Sequence, residues 1–418
     1  MELPIFALSV TTTAPALLNS SWIFSNAVTH LDESQLKNGC AFVFMGKLKR
    51  WGVYDRHGSI AVRLFPFPLA TQFESKNVIS HEDIIRLIAD HLKKLKANKD
   101  SFCFAPGDAI RLAHGDNDGL PGIVIDDYKS FFAIQSNCQA GDFLIEFIVD
   151  ALKIFEDKPI FERSSGQTRT AAGLPERTRW VYAENKNSTE NIANSVSVEA
   201  QLAGLKLSFS PTKAQKTGLF LDQRENLNAV SRFSKSAKSV LDICCYAGAW
   251  SSAAARVGAT DFVLIDQDSK ALENADANIR KNSNSGINSV EKRHGDLFEN
   301  LAILGKENKT FDLVVADPPA FAKSKKHIIE ARKAYMRMAK AASKCVAPGG
   351  ILVICSCSRH MSPEEFEKAV VNSLTGHGWV LLARGNQSPD HTIVAQSEGG
   401  EYLKCLFLKK PFEHQYES

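Results

Sequence analysis

The chain has 418 residues, which at about 150 residues per domain predicts two or three domains rather than one small binding module. Its residues are 44% hydrophobic and 23% charged, a composition typical of folded globular proteins and not of disordered chains, collagen or coiled coils. The 50 Lys and Arg residues against 47 Asp and Glu leave a net charge of +3, which excludes a histone-like binder held by bulk charge. Affinity for nucleic acid would have to come from local basic patches.

Cysteine usage and hydropathy favour the cytoplasm. No apolar run reaches the roughly 18 residues of a membrane span, and the apolar start from Leu3 to Val10 lacks the basic flank of a signal peptide. The nine cysteines include no Cys-x-x-Cys pair, which disfavours a disulfide framework and a zinc site. We therefore expect a cytoplasmic protein with reduced thiols, no metal and no membrane partner.

The first 190 residues predict two small domains. Residues 1–72 contain short apolar runs broken by turn formers, which indicates a small β domain. Residues 73–190 begin with a helix that Ser80 and Asp83 would cap, and they continue through three strand-like runs and a second amphipathic helix with Leu144 and Phe155 on its apolar face. This pattern predicts an α+β domain. The stretch from 163 to about 194 is polar and without a sustained period, which predicts a linker or a long surface excursion.

The remaining residues, 191–418, predict a doubly wound α/β domain. Apolar strand runs alternate with amphipathic helical stretches, as in a parallel sheet that helices cover on both faces. The predicted strands are Val240–Cys244, Phe262–Ile265, Leu313–Ala316 and Ile351–Cys355. In such a fold the ends of the strands line one crevice, so the residues that follow them are candidates for a site.

The first of these strands leads into a turn that suits a nucleotide cofactor. The strand carries Asp242 and the turn carries Tyr246 and Gly248, where a missing side chain lets a ligand approach the backbone. Asp266 ends the next strand, where a carboxylate can accept both ribose hydroxyls. A tight turn with a helix-capping acid has the same pattern. The G-x-G-x-x-G fingerprint of NAD sites is absent, which favours an adenosyl cofactor without a pyrophosphate.

Two further acids have comparable positions. Asp296 would bring an acceptor to an adenine amino group, although a surface turn has the same pattern. Asp317 ends the fourth strand and is followed by Pro318, Pro319 and Phe321. The prolines make a rigid exit that would hold the carboxylate in the crevice, above a floor for a flat base.

Cys355 and Cys357 end the next strand at the same edge. One of them can be a small buried apolar residue, but both are not easily buried. Methylation of pyrimidine C5 requires a thiolate, because C5 becomes nucleophilic only after addition at C6. It also requires an acid that hydrogen-bonds N3. We predict that Cys357, which lies farther out along the strand, and Asp317 have these two roles.

A basic stretch follows the Pro-Pro turn. Lys323, Lys325 and Lys326 begin a run of eight cations, and Glu330 is the only acid between Phe321 and Lys344. A solvated helix face has the same pattern, but the position beside the predicted crevice favours a phosphate backbone.

Taken together, the motifs resemble a known family. The third domain resembles the class I S-adenosylmethionine methyltransferases, and the whole chain resembles the bacterial 23S ribosomal RNA 5-methylcytosine methyltransferases with an N-terminal PUA domain. The resemblance extends from end to end. It rests on the Asp-Pro-Pro and Cys-Ser-Cys-Ser motifs and on segments 21–25, 118–122, 215–218 and 221–224.

This resemblance implies a Rossmann-like catalytic domain preceded by a PUA-like RNA-binding domain and an α+β middle domain, with S-adenosylmethionine as cofactor and large-subunit ribosomal RNA as partner. It implies that Cys357 is the nucleophile and that Asp317 contacts the cytosine. The cofactor would be bound by Asp242, Tyr246, Gly248, Asp266, Asp296, Asp317, Lys216, Gly218 and Asp222. The RNA would contact Pro318, Phe321, Lys323, Lys325, Lys326 and Arg224. The chain departs from the family at Ala249, Trp250 and His360, where a second glycine, Phe and a smaller residue are usual.

Two alternatives remain. An exocyclic amino methyltransferase has a similar acid-Pro-Pro-aromatic turn but needs no thiol, so Cys357 discriminates between the two reactions. An RNA-binding or assembly factor with a vestigial cofactor pocket is less consistent with the set of Asp266, Asp296 and Asp317. The modified nucleotide, the form of the RNA substrate and the oligomeric state stay open, with a homodimer as one candidate.

Overall fold

The structure, a computed structural model, describes residues 2–11, 20–69, 77–182, 197–322, 325–395 and 400–412. The chain forms two compact units. The first unit comprises residues 1–198, 210–219 and 389–400, and the second comprises residues 199–209, 220–388 and 401–418. Segments 210–219 and 389–400 of the predicted third domain, and its first residues up to 198, therefore belong to the first unit.

The first unit begins with a six-stranded sheet in the order β2-β5-β4-β3-β1-β6. Its strands are Glu2–Ala7 (β1), Trp22–Phe24 (β2), Cys40–Met45 (β3), Arg50–Asp55 (β4), Ile60–Leu64 (β5) and Val78–Ser80 (β6). The sheet buries Trp51, whose ring lies 4.5 Å from that of Phe65 and whose indole N–H donates to the carbonyl of Phe67 at 2.9 Å. The short apolar runs are therefore strands, as their pattern predicts.

A second sheet of five strands follows, in the order β11-β10-β9-β8-β7. Its strands are Ile110–His114 (β7), Ile123–Asp127 (β8), Phe132–Ser136 (β9), Ile160–Ser164 (β10) and Arg177–Tyr182 (β11). Helices α1 (His81–Asp100) and α2 (Gln139–Phe155) belong to the same part of the chain. Helix α1 begins where the capping pattern predicts, because the Ser80 hydroxyl accepts a hydrogen bond from the backbone N–H of Asp83 at 3.0 Å.

The two sheets of this unit share one hydrophobic core. The ring of Phe42 in β3 lies 5.0 Å from that of Phe143 and 5.7 Å from that of Phe147, both in α2. Strand β6 also pairs with β1. The two domains predicted on either side of residue 72 therefore pack as one compact unit. Residue 72 itself lies outside the described residues.

The polar stretch that predicts a linker is an ordered part of the second sheet as far as Tyr182. It forms the end of β10, the short helix α3 (Gln167–Ala171) and β11. Arg169 is fully buried and donates to both oxygens of Asp142, and Arg177 donates to the same two oxygens. The linker prediction is wrong here because these charge pairs hold the segment together with Trp180, which packs against Phe131 and Phe161, and this mixture produces no hydrophobic period. Residues 183–194 of the predicted linker lie outside the described residues.

The second unit is doubly wound α/β, as the alternating pattern predicts. Its seven-stranded sheet has the order β16-β15-β14-β17-β18-β20-β19, in which β20 is antiparallel to both neighbours and the other pairs are parallel. The strands are Ser239–Ile243 (β14), Asp261–Asp266 (β15), Ser289–His294 (β16), Phe311–Ala316 (β17), Val346–Ser356 (β18), Val380–Gly385 (β19) and Lys404–Lys409 (β20). A two-stranded sheet, β12 (Val198–Leu202) and β13 (Leu205–Phe209), precedes them.

Helices alternate with the strands of this sheet. They are α4 (Arg224–Phe233), α5 (Ala249–Arg256), α6 (Ser269–Asn282), α7 (Leu297–Lys306), α8 (Ile328–Lys344) and α9 (Pro363–Val371). In the described part of the chain, no helix is both long and apolar enough to cross a membrane. All nine cysteines are free thiols.

Candidate active site

The register of the sheet brings the candidate residues to one edge. Ile243, the last residue of β14, pairs with Ala316, the last residue of β17, and Ala316 pairs with Ile354 of β18. Strand β15, which ends at Asp266, lies on the other side of β14. The backbone N–H of Asp317 donates to the carbonyl of Ile243 at 3.3 Å. The strand ends that carry the predicted acids and thiols are therefore neighbours.

The turn between β14 and α5 requires a glycine at position 248. Gly248 has a φ of +71° and caps the N-terminus of α5. A Cβ at this position would lie 2.7 Å from the Cβ and 2.8 Å from the Cα of Ala275 in α6. Both the dihedral angle and the close approach exclude a side chain. Ala249 is the first residue of α5, a helical position that does not need the second glycine of the related family.

Four carboxylates surround this turn. Burial raises the pKa of the Cys244 thiol, and the charges of Asp266, Asp317, Asp242 and Asp296 raise it further, in that order. Four of the five acids that the sequence assigns to the cofactor therefore act on the Cys244 thiol, all except Asp222. Their combined negative potential favours a cationic ligand over an anionic one.

Asp266 and Asp296 both accept hydrogen bonds from backbone amides. Asp266 accepts from the N–H of Tyr246 at 2.9 Å and from that of Asp268 at 3.0 Å, one bond on each carboxylate oxygen. Asp296 caps α7, and its Oδ1 accepts from the N–H groups of Phe298 and Glu299. Asp296 thus has a structural role at the start of α7, and its contact with adenine stays a prediction.

Asp242 is completely buried beneath the turn. Its Oδ2 accepts from the hydroxyl of Ser251 at 2.6 Å and from the Ser251 backbone N–H at 3.3 Å, which ties β14 to α5. Its Oδ1 is buried and has no hydrogen-bond partner among the described residues. Burial raises the pKa of this carboxyl to about 7, and the charges of Asp317 and Asp266 contribute to the rise.

Two side chains converge on a single oxygen of Asp317. Gln223 Nε2 and Trp250 Nε1 each donate to Asp317 Oδ2 at 3.0 Å. The amide of Gln223 is itself held, because its Oε1 accepts from Asn226 Nδ2 at 2.7 Å. Trp250 therefore supplies an N–H donor that the Phe of the related family lacks. Two donors on one oxygen orient the carboxylate and favour its ionised form.

The two thiols of the Cys-Ser-Cys-Ser segment have different surroundings. Cys355 is fully buried in β18, with its Sγ 3.2 Å from the Sγ of Cys405 on β20. Burial raises the pKa of Cys355 well above its ordinary value. Strand β18 ends at Ser356, and Cys357 follows it with a partly exposed side chain. Of the two thiols, Cys357 is therefore the accessible one.

Two buried serines fix the backbone on either side of Cys357. Ser356 donates to the hydroxyl of Tyr335 at 2.8 Å, and the hydroxyls of Tyr335 and Ser358 lie 3.0 Å apart. The Ser358 carbonyl accepts from Lys404 Nζ at 2.5 Å. Within the motif Cys355 and both serines are buried, and Cys357 is the partly exposed residue. No local sequence pattern predicts that Tyr335 or Lys404 contacts the cysteine segment, because both residues are distant from that segment along the chain.

Aromatic side chains lie next to the Pro-Pro turn. Pro318 is buried, and the partly exposed ring of Phe321 lies 4.7 Å from that of Tyr335. On its other side Phe321 stacks with Phe298 at 6.4 Å, and the Arg337 guanidinium lies 3.4 Å from the centre of the Phe298 ring. These rings supply apolar surface of the kind that a flat base stacks on.

The remaining candidates are distributed over both units. Lys216 and Gly218 belong to the segment 210–219 of the first unit. Asp222 is buried in the second unit and accepts from the Tyr402 hydroxyl at 2.6 Å. Arg224, the first residue of α4, is only 1% exposed. Its guanidinium is therefore not on the surface of this structure, and the predicted RNA contact of Arg224 stays a prediction.

Of the three lysines after the Pro-Pro turn, Lys326 is exposed at the start of the α8 region. Lys323 lies outside the described residues, and Lys325 is described only by its backbone, in a short 3-10 turn. His360 is exposed, which agrees with a surface histidine.

The edge of the sheet fits an adenosyl cofactor with a positively charged sulfonium. Gly248 leaves room for a close approach to the backbone, and Asp266 at the end of β15 offers carboxylate oxygens at the position where a ribose is expected. The buried Oδ1 of Asp242 provides a further acceptor beneath the turn. Four carboxylates around the turn match the positive charge of the ligand.

Comparisons with known proteins agree with this fit. Residues 158–396, more than half of the chain, match the S-adenosylmethionine-dependent methyltransferase family. Ribosomal RNA large subunit methyltransferase I of Shewanella amazonensis is 31% identical over 93% of this chain and 94% of its own, and that of Aeromonas hydrophila is 29% identical over 93% and 94%. A provisionally named ribosomal RNA large subunit methyltransferase of Methanocaldococcus jannaschii is 37% identical over 76% of this chain and 78% of its own.

Solved structures show the same fold. A provisionally assigned S-adenosylmethionine-dependent methyltransferase from Streptococcus mutans has a TM-score of 0.74 at 18% identity, and it covers 97% of this chain and 100% of its own. A methyltransferase structure in complex with S-adenosylhomocysteine has the same score and coverage. The carboxylate-lined turn, the class I methyltransferase fold and the family match together identify this chain as a member of the S-adenosylmethionine-dependent methyltransferase family.

Proposed function

We propose that this protein transfers the methyl group of S-adenosylmethionine to carbon 5 of a cytosine in large-subunit ribosomal RNA, through a thiolate of Cys357. The relatives named as ribosomal RNA large subunit methyltransferases support RNA as the substrate. The observation that carries the chemistry is the position of Asp317 and Cys357 at the ends of the adjacent strands β17 and β18. An oriented carboxylate and an accessible thiol are the two groups that C5 methylation needs.

In the proposed reaction the Cys357 thiolate forms a bond to C6 of the cytosine. The electrons of the C5–C6 double bond move towards N3, which takes a proton from water, and Asp317 accepts a hydrogen bond from that N–H. Bound S-adenosylmethionine supplies the electrophilic methyl group that C5 takes up. The C5 proton then leaves to water, the sulfur–carbon bond breaks with its electron pair returning to Cys357, and N3 loses its proton.

The rest of the chain would bind the RNA. Helix α8 buries an apolar face that includes Tyr335 and Met338, and it exposes the cations Arg332, Lys333, Arg337, Lys340 and Lys344. We assign this exposed face to the phosphate backbone and residues 1–72 to a PUA-like RNA-binding domain. We place the reaction in the cytoplasm, where thiols such as Cys357 stay reduced.

RNA that contains 5-fluorocytosine tests the covalent step. We expect the wild type to form a stable adduct with this RNA, because fluorine leaves no C5 proton to remove. Cys357→Ala should form no adduct and transfer no methyl group while it retains cofactor binding. The matched control, Cys355→Ala, removes the buried thiol two residues away and should keep substantial activity.

The same experiment separates the alternatives. An adduct through Cys355 would show that the nucleophile is the other thiol. An active Cys357→Ala variant without any adduct would favour methylation of an exocyclic amino group, which needs no covalent step. Wild-type protein that binds RNA and S-adenosylmethionine but methylates no ribosomal RNA, whether naked or in a ribosomal particle, would favour a non-catalytic assembly factor.

A further inference from the structure

Lys404 is a buried cation next to the cysteine segment. It is the first residue of β20, where it pairs with Ser356 of β18, and it is 5% exposed. Its Nζ donates to the carbonyls of Ser358 at 2.5 Å and Tyr402 at 3.0 Å. Within the described ranges, no carboxylate lies within ion-pair distance of Nζ. Two neutral carbonyls therefore fix the position of this ammonium without neutralising its charge.

A buried ammonium without a counter-ion is unfavourable, because the interior solvates charge poorly. Burial lowers the pKa of Lys404 from 10.5 to about 8, and the negative charges that oppose this change are first the Cys357 thiolate and then the exposed Glu401. Lys404 therefore stays mostly cationic at neutral pH. Because Nζ bonds to the carbonyl of Ser358, the residue that follows Cys357, a thiolate at Cys357 would compensate this charge.

The other charged or titratable groups around the segment do not replace this partner. The Tyr335 hydroxyl is engaged with Ser356 and Ser358, and burial raises the pKa of this phenol. Asp317 directly follows the neighbouring strand β17, and its carboxylate accepts hydrogen bonds from Gln223 and Trp250. Asp222 accepts from the Tyr402 hydroxyl, and Arg359 lies over the Tyr402 ring at 5.5 Å.

We propose that Lys404 is a positioning residue that holds Cys357 as a thiolate, ready to attack C6. This inference rests on the proposed function. The thiol proton leaves to solvent, and the buried ammonium and the partly exposed thiolate form an ion pair. The sulfur lone pair then forms the bond to C6, and it returns to sulfur when that bond breaks, which restores the pair. Lys404 keeps its proton throughout, and the carbonyls of Ser358 and Tyr402 keep its Nζ in place.

The pH dependence of Cys357 alkylation tests this role independently of methyl transfer. The full-length protein, saturated with S-adenosylhomocysteine, is treated with iodoacetamide over a range of pH, and the modification of Cys357 is quantified by peptide mass spectrometry. We expect Lys404→Met and Lys404→Gln to move the midpoint upward by about one pH unit or more, which lowers the alkylation rate at neutral pH about tenfold. Lys404→Arg keeps the charge and should restore most of the rate.

Lys410→Met is the matched control. Lys410 directly follows the last residue of β20, at the opposite end of the strand from Lys404. Like Lys404, it donates to a backbone carbonyl, that of Val346 at 2.7 Å. Its substitution should leave the midpoint unchanged. An unshifted midpoint in a Lys404 variant that still binds S-adenosylhomocysteine would overturn the inference. The wild type alone provides a second test. An alkylation midpoint of about 8.5, the value of an ordinary thiol, would also overturn the inference. Methyl transfer by Cys357→Ala would instead overturn the proposed function.

Discussion

Asp266 combines a structural role with the position predicted for ribose binding. It accepts the N–H of Tyr246, which shapes the turn after β14, and it stands at the end of β15 where a ribose is expected. A charge-assisted hydrogen bond contributes about 1.5 to 3 kcal/mol. We therefore expect Asp266→Ala to weaken S-adenosylmethionine binding by about one to two orders of magnitude, measured by calorimetry.

Asp261 provides the control for this substitution. It begins the same strand and bonds only to side chains outside the turn, those of Thr260, Asn288 and Ser289. Asp261→Ala should leave cofactor affinity unchanged, and Asp266→Asn, which keeps one acceptor, should be intermediate. Equal affinities for Asp266→Ala and the wild type would remove Asp266 from the cofactor site.

The buried carboxyl of Asp242 makes stability depend on pH. Its pKa rises from 3.8 to about 7 on folding, so between these values the folded protein binds a proton that the unfolded chain has lost. The stability contributed by this proton is complete below the lower value and disappears as the pH rises through the upper one. The slope is at most about 1.4 kcal/mol per pH unit.

Asp242→Asn removes this titration. We expect the wild type to lose stability relative to Asp242→Asn between about pH 4 and 7, and the difference to level off above that window. Urea unfolding of both proteins without ligand, at several pH values, measures it. Parallel stability curves for the two proteins would show that Asp242 does not titrate in this range.

At the scale of elements, the segment between β17 and α8 joins the catalytic edge to a basic helix. Neutralising Lys323, Lys325 and Lys326 together should weaken RNA binding and lower its salt dependence by about 2 units, because each phosphate contact of single-stranded RNA releases about 0.7 of a counter-ion. Cofactor affinity should stay the same. Fluorescence anisotropy at several salt concentrations measures the slope.

A second triple variant, which removes three positive charges elsewhere, controls for the effect of net charge on RNA binding. Three cations on α6 and β16 already pair with carboxylates, so they are poor phosphate ligands: Arg280, Lys281 and Lys292. Their combined neutralisation should change the slope little. If both triple variants change it equally, the lysines after the Pro-Pro turn are a solvated surface without a specific RNA contact.

At the scale of the whole molecule, the chain crosses between its two units more than once. Residues 389–400 belong to the first unit, where the Asp390 carboxylate accepts from the backbone N–H of Arg111 at 3.0 Å and the Asp390 carbonyl accepts from Lys99 Nζ at 2.8 Å. Thr217 of the segment 210–219 donates to Asp126 of the same unit. These bonds join residues that are far apart in the chain.

A fragment of residues 191–418 would lose these partners. Asp390 is completely buried, and in the fragment it would lose the hydrogen bonds from the Arg111 backbone N–H and from Lys99 Nζ. We expect the fragment to unfold at a lower temperature than the full chain, or not to fold cooperatively, as monitored by circular dichroism. A fragment that unfolds cooperatively and binds S-adenosylmethionine as the full chain does would show that residues 191–418 form an independent domain.

Local pattern determined much of this protein. Apolar runs predicted four strands of the large sheet, β14, β15, β17 and β18, but not β16, β19 or β20. The Ser80 cap marked the start of α1. Gly248 could be identified as a candidate cofactor-site residue because it is a glycine in the turn between a strand and a helix. The acids at strand ends could be grouped from sequence alone, because all parallel strands of a doubly wound sheet end at the same edge. These features depend on short-range periodicity and on one general rule of topology.

Tertiary structure decided which distant side chains serve the site. Gln223 donates to Asp317, which is 94 residues away in the sequence. Lys404 donates to the Ser358 carbonyl, 46 residues away, because β20 pairs with β18 in the antiparallel direction. The same applies to Arg224, whose charge suggested RNA but whose packing buries it. No local period encodes such pairings, since they arise only when strands and helices are packed together and each buried polar group needs a partner.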